Sequence, residues 1–240
     1  MEIKIDKLKK QYGNIVACDI PHFEISHGEI IGLVGNNGAG KTTLFRLLLD
    51  LQEADEGSIH LIPLNQAPIN VCKSEDWKDY TGAYIDDGFL IDFLTPEEYF
   101  NFLAKIAGLT KEVIQERLSL FEHFTGGEIF GKKNLIRNLS AGNKQKVGII
   151  AAFFRHPELV VLDEPFNFLD PSSQSMLKHI ISDYNKSTNA TILISSHNLT
   201  HTVDVSTRIV LLEHGQIIKD IPNHNEIDVT NELKSYFETD

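Results

Sequence analysis

Apolar and polar residues alternate over positions 3–8 and 15–25, which predicts two antiparallel strands with one face buried. Residues 29–34 form a nearly continuous apolar run instead, the pattern of a strand covered on both faces. A glycine-rich loop follows at once, and the spacing over 41–51 then predicts a helix. After the Asp55-Glu56-Gly57 turn a strand is expected near 58–62. The middle of the chain changes period: 96–107 and 111–124 carry helical spacing, and Gly126-Gly127 breaks it. A helix is predicted over 141–154, a buried strand over 159–162, a helix over 172–185 and a strand over 191–195. Residues 208–213 and 216–220 predict a hairpin turning at His214-Gly215, and 229–238 a terminal helix. The pattern therefore predicts an α/β fold in one domain. Segments 1–86 and 155–240 would form a parallel-sheet core with an antiparallel N-terminal β part, and 87–154 an inserted helical subdomain.

Composition narrows what this fold could serve. With 240 residues, 42% of them hydrophobic, the chain can bury a large core. Its formal net charge of −12 opposes a sequence-independent grip on nucleic acid or anionic lipid, so no nucleic-acid partner is expected. The first residues carry charges where a secretory signal would be apolar, and apolar stretches such as 147–154 are too short to cross a bilayer. A cytoplasmic chain is expected. Cys18 and Cys72 lack Cys-x-x-Cys spacing and are expected to be reduced thiols.

The loop Gly35-Asn36-Asn37-Gly38-Ala39-Gly40-Lys41-Thr42 fits G-x-x-x-x-G-K-[ST] at every fixed position, between a predicted buried strand and a predicted helix. Its glycines let successive N–H groups turn inward around phosphates, and the following helix adds the positive end of its dipole. The expected ligand is ATP with magnesium. Lys41 would reach the β- and γ-phosphates, and Thr42 would offer its hydroxyl to magnesium, with Thr43 beside it. Asp163 and Glu164 end the apolar run 159–162, at the edge of a parallel sheet where ligands gather. Asp163 would hold magnesium through water, and Glu164 would act as general base towards the attacking water. Ser140 is placed to cap a helix whose N-terminus, with Gly142, makes a second anion site.

Asn138-Leu139-Ser140-Ala141-Gly142-Asn143, standing just upstream of the acidic strand, is similar to the Leu-Ser-Gly-Gly-Gln signature of ABC transporter ATP-binding subunits. The resemblance covers essentially the whole chain, so the fold it implies is a P-loop NTPase core. It implies that Tyr12 stacks on adenine and that Phe168-Leu169-Asp170 touches an opposite subunit. It also implies that His197, after Ser195-Ser196, contacts the γ-phosphate. It further implies a head-to-tail homodimer or heterodimer in which Ser140 and Gly142 complete the partner's site. The driven partner would be a membrane-spanning permease, with the chain peripheral at the inner face of the membrane. The stretch 89–99 is the implied permease contact, and residues 83–89 are similar to those of antibiotic and peptide exporters. The short segment after Asp220 leaves no room for the regulatory domain of some importers and leans the same way.

Several positions leave alternatives open. Tyr12 could equally be an ordinary strand aromatic, and Phe23 competes for the adenine role. His197 and His201 stand four apart and could share a helix face as metal ligands, although no third ligand completes a zinc pattern; the γ-phosphate role is preferred for His197. Asn185-Lys186-Ser187-Thr188 matches a guanine-reading motif only in part and is expected to be a helix end. The signature departs from the family at Ala141 and Asn143, and Phe168 replaces a common Gly. Asp86 stands where Gln is usual; it either tunes magnesium affinity or coupling, or reflects a one-residue slip in the alignment or a plain turn. A soluble ABC-type ATPase in an assembly role, and a module that holds ATP without turnover, are the rival functions.

Overall fold

The computed structural model describes residues 1–85, 89–224, 227, 229 and 231–233. Two sheets carry it. The first joins β1 (Glu2–Tyr12), β2 (Ile15–Ile25), β4 (Glu56–Ile62) and β5 (Ile69–Asn70) in the order β2-β1-β4-β5, all antiparallel. The second has the order β10-β9-β3-β8-β7-β6, built from β3 (Ile30–Val34), β6 (Thr81–Tyr84), β7 (Leu159–Leu162), β8 (Thr191–Ser196), β9 (Arg208–Glu213) and β10 (Gln216–Pro222). Its strands run parallel from β9 to β6, and β10 alone returns antiparallel. This is the α/β arrangement expected of the sequence.

The runs β3, β7 and β8 are buried at every position because apolar clusters cover both faces of the sheet. On one face α1 (Lys41–Leu48) and the antiparallel sheet bury Phe45, Leu48, Ile20 and Leu61. On the other, α2 (Pro96–Ile106), α3 (Lys111–Ser119), α4 (Glu122–Thr125), α5 (Ala141–Phe154) and α6 (Pro171–Thr188) bury Phe100, Phe124, Phe154 and Leu177. A short α7 (Leu199–Val203) follows β8, and Asn231–Leu233 are helical again.

Local chemistry explains where elements stop. The helix expected over 41–51 ends at Leu48: Asp50 takes a left-handed φ of 50°, and the Leu51 N–H donates back to the Arg46 carbonyl at 2.9 Å. The helix expected over 111–124 is broken into α3 and α4, because Leu120 and Phe121 turn so that Phe121 enters the core at 5% exposure. α2 begins with a reciprocal cap, in which Thr95 Oγ1 accepts from Glu98 N–H and the Glu98 carboxylate accepts from Thr95 N–H. The β9–β10 hairpin turns at His214 and Gly215, both at positive φ. Of the terminal helix, only part lies within the described residues.

Both cysteines are free thiols. Cys18 is 1% exposed in β2, and burial, with Asp19 nearby, pushes its thiol pKa up to about 12. Cys72 is exposed. A thiol-disulfide reagent at pH 8 should therefore titrate one thiol per native chain and two after denaturation. Equal native rates for Cys18→Ser and Cys72→Ser proteins would contradict this burial.

Candidate nucleotide site

The loop between β3 and α1 is shaped by its neighbours. A Cβ on Gly35 would lie 2.2 Å from the Leu212 carbonyl, and one on Gly40, at φ 106°, would lie 2.3 Å from the Ala17 carbonyl. Gly215 N–H donates to the Ala39 carbonyl at 2.9 Å, so β2 and the β9–β10 turn close the loop from behind. Asn36, Asn37 and Gly38 form its exposed tip. No side chain caps α1, which leaves its first N–H groups for an anion. Lys41 is 6% exposed and curls into the loop, its Nζ donating to the carbonyls of Gly35 (2.7 Å) and Asn36 (3.3 Å). Thr43 follows Thr42 in the first turn of α1.

β7 delivers two carboxylates to this loop. Asp163 is 7% exposed; it accepts from Thr42 Oγ1 at 2.7 Å and from the Ser195 hydroxyl. Burial pushes the Asp163 carboxyl pKa up, the Ser195 and Thr42 hydroxyls pull it down, Glu164 adds to the rise, and Lys41 opposes it. Glu164 sits at φ 47°, a left-handed conformation that costs a non-glycine residue on the order of 1 kcal/mol. Its carboxylate lies 3.6 Å from Lys41 Nζ through Oε1 and 2.8 Å from His197 Nδ1 through Oε2, which also accepts from His197 N–H at 3.3 Å. Lys41, Thr42, Asp163, Glu164 and His197 thus form one continuous cluster.

Ser140 and Gly142 stand on another element. Ser140 caps α5 by accepting from Asn143 N–H at 3.2 Å, while Asn143 Nδ2 donates to Glu128 at 3.0 Å. Gly142 faces the Phe168 carbonyl, 2.6 Å from where a Cβ would be. Phe168 itself is left-handed at φ 59° and 74% exposed. Within this chain both residues therefore contact the segment after Glu164 or their own helix.

The remaining positions separate. Tyr12 is 48% exposed at the end of β1, whereas Phe23 is 6% exposed beneath the Arg208 guanidinium, 5.2 Å from its ring centre. Phe23 is thereby a core residue with no free face to offer adenine. His201 does not join His197: its ring packs 5.2 Å from that of Phe166, and its Nδ1 is buried without a hydrogen-bond partner. Among the described residues no group of three or more His, Cys, Asp or Glu side chains could hold a metal. Asn185 ties the end of α6 to the carbonyls of Gly28 and Ala190, both at 2.8 Å, a helix-end role. Asp86 lies outside the described residues.

Two residues that stand in or beside these motifs have roles the motifs do not show. Ser195 is fully buried, donating to Asp163 and accepting from Glu164 N–H at 2.8 Å. Gln145 Nε2 donates to the Glu164 carbonyl at 3.0 Å. Ser195 follows the apolar run Ile192-Leu193-Ile194 in β8, and Gln145 stands between Lys144 and Lys146 in α5, so their burial and not the local pattern marks them.

A phosphate loop between a buried parallel strand and a helix, with paired carboxylates on a nearby strand end, defines a P-loop nucleotide-binding protein. The model of the ABC transporter family matches residues 18–167, and the chain belongs to that family as an ATP-binding, ATP-hydrolysing transporter subunit. It is 31% identical over 238 residues to the bacitracin transport ATP-binding protein BcrA of Enterococcus faecalis, covering 98% of this chain and 74% of that one. It is 29% identical to the methionine import ATP-binding protein MetN of Clostridioides difficile, covering 90% of this chain and 67% of that one. The fold matches an ATP-binding cassette solved as a dimer in a post-hydrolysis state with ADP and Pi. The TM-score there is 0.79 at 19% identity, covering 93% of this chain and 99% of that one.

Proposed function

We propose that the chain hydrolyses ATP between two copies, or between itself and a related cassette, to drive a membrane-spanning permease whose cargo leaves the cell. The observation that carries the catalytic reading is the cluster itself: a lysine in the phosphate loop within 3.6 Å of a carboxylate that a histidine also holds at 2.8 Å. ATP would seat its phosphates on the N–H groups of Gly35, Asn36, Asn37, Gly38, Ala39 and Gly40, and on Lys41, Thr42 and Thr43, with adenine on exposed Tyr12. Lys41 Nζ would exchange the carbonyls of Gly35 and Asn36 for phosphate oxygens. Glu164 accepts the proton of the attacking water, the water oxygen bonds to the γ-phosphorus, and the bond to the ADP oxygen breaks. His197 orients that water and the γ-phosphate, and Ser140 and Gly142 of the second copy close over it.

Thr42 and Asp163 present only oxygen ligands, with Thr42 Oγ1 2.7 Å from Asp163 Oδ2, which suits magnesium. Bound there, magnesium would neutralise charge on the phosphates. The permease contact we propose is a groove of about 270 Å³ lined by Leu51, Trp77, Ala83, Phe89 and Tyr99. Leu51 and Phe89 are 48% and 56% exposed there, and Phe93, in the same 89–99 stretch but outside the groove, is 66% exposed, an apolar surface suited to a protein partner. Among the described residues no helix is long and apolar enough to cross a membrane, which fits a peripheral place at its inner face. We take 87–154 as the helical subdomain, which carries the signature turn and, together with Leu51, Trp77 and Ala83 of the core, forms this contact. Export is supported by the resemblance of residues 83–89 to those of antibiotic and peptide exporters; the relatives themselves include both a bacitracin transport and a methionine import protein.

Affinity purification from gently solubilised membranes is expected to bring down a polytopic protein, and Phe89→Asp with Phe93→Asp to lose it while keeping ATP binding. Recovery of the chain from the soluble fraction alone, with no polytopic partner, would sink the transport reading in favour of an assembly role.

A further inference from the structure

The strained backbone at Glu164 is held at both ends. Its N–H donates to Ser195 Oγ at 2.8 Å, and its carbonyl accepts from Gln145 Nε2 at 3.0 Å. The carbonyl's other partner, Asn167 N–H at 3.2 Å, belongs to the same turn and would move with it. Gln145 therefore anchors that carbonyl to a different element, α5. Its side chain is 3% exposed, so the amide is shielded from competing water.

Gln145 lies five residues beyond Ser140 on the helix whose N-terminus carries the signature. Two further contacts follow the same route. The missing side chain of Gly142 admits the Phe168 carbonyl, and Lys146 Nζ lies 4.0 Å from Asp170 Oδ2. Lys146 is itself 7% exposed, over the Phe124 ring. The first two turns of α5 thus hold the segment 164–170 at two points and approach it closely at a third.

We infer that Gln145 is a positioning residue for hydrolysis, joining the end of α5 that serves a second copy's nucleotide to the Glu164 backbone of this chain's own site. The inference rests on Glu164 being the base and on the head-to-tail pairing proposed above. Phosphate taken up by Ser140 and Gly142 would shift α5, and Gln145 would carry that shift to Glu164. Engagement at one site then sets the base of the other, a coupling that uses a defined contact and not a diffuse path.

The test compares wild type, Gln145→Met, Gln145→Glu and Glu164→Gln, each with its permease, by steady-state turnover against magnesium-ATP. Met keeps the volume and lacks the donor; Glu keeps the shape and sets an acceptor against the carbonyl. Both are expected to lower kcat about tenfold, the scale of one lost buried hydrogen bond, with KM within about twofold of wild type. The Hill coefficient should fall towards one. A melting scan with ATP reports folding and binding, and if Gln145→Glu does not fold, Gln145→Met decides. Wild-type kcat in the folded variants, or a fall in kcat matched by a tenfold rise in KM, overturns the positioning role. Lower kcat with unchanged cooperativity overturns the link between sites. Glu164→Gln separates the two readings: if it turns over normally, the base assignment fails and the inference with it, whereas an inactive Glu164→Gln beside normal Gln145 variants removes only the inference.

Discussion

Lys41→Ala is expected to weaken ATP binding by roughly 10²–10⁴-fold and to abolish hydrolysis. Hydrogen bonds to charged groups contribute about 1.5–3 kcal/mol each, and Lys41 would make at least two to phosphate oxygens. The change also strips the Gly35 carbonyl of its 2.7 Å donor, so the cradle loses shape as well as charge. Lys41→Arg should rescue little, because the side chain is only 6% exposed and a forked guanidinium is too broad for the space. Thermal shift separates a lost ligand from a lost fold: the variant should melt near wild type without ATP and gain almost nothing from adding it. An unaltered ATP-induced shift would remove Lys41 from the phosphate site.

Glu164→Gln is expected to cut turnover by about 10²–10⁴-fold, the range attributed to a positioned general base, while leaving ATP bound. The amide is nearly isosteric, and His197 N–H can still donate to its oxygen as it does to Glu164 Oε2 at 3.3 Å. ATP should then accumulate unhydrolysed, and size-exclusion chromatography with magnesium-ATP should show a dimer that ADP does not support. His197→Ala should lower turnover too, since the 2.8 Å contact to Glu164 disappears. Near-normal turnover in Glu164→Gln would move the base elsewhere.

Much of this architecture is legible in the chain because its signals are local. The capped start of α5, the buried runs of β7 and β8 and the His214-Gly215 turn each follow from a few adjacent residues, and the structure places them at or within a residue of the expected bounds. β6 was not legible as a strand. Thr81–Tyr84 is short and contains Gly82, whose need is tertiary: a Cβ there would fall 1.8 Å from the Ala152 carbonyl. The break between α3 and α4 has no proline or glycine to announce it and is set by the burial of Phe121. The same division runs through the site. Lys41, Thr42, Asp163 and Glu164 lie in motifs, and their adjacency in space follows from parallel strands β3 and β7 flanking β8. Ser195, through two hydrogen bonds, and Gln145, through one, act between distant elements, which no local pattern encodes. Phe23 shows the converse, an aromatic eligible by position and removed from the adenine role by its packing under Arg208.

The buttressing of the phosphate loop by Ala17, Leu212 and Gly215 has a thermodynamic consequence. Its ordering entropy is spent when the protein folds, so a nucleotide meets a receptor whose shape is already set. Association should be fast and limited by diffusion and charge. Substitutions at Gly215, remote in sequence and touching no ligand, should register as weaker ATP affinity because they return conformational freedom to the cradle.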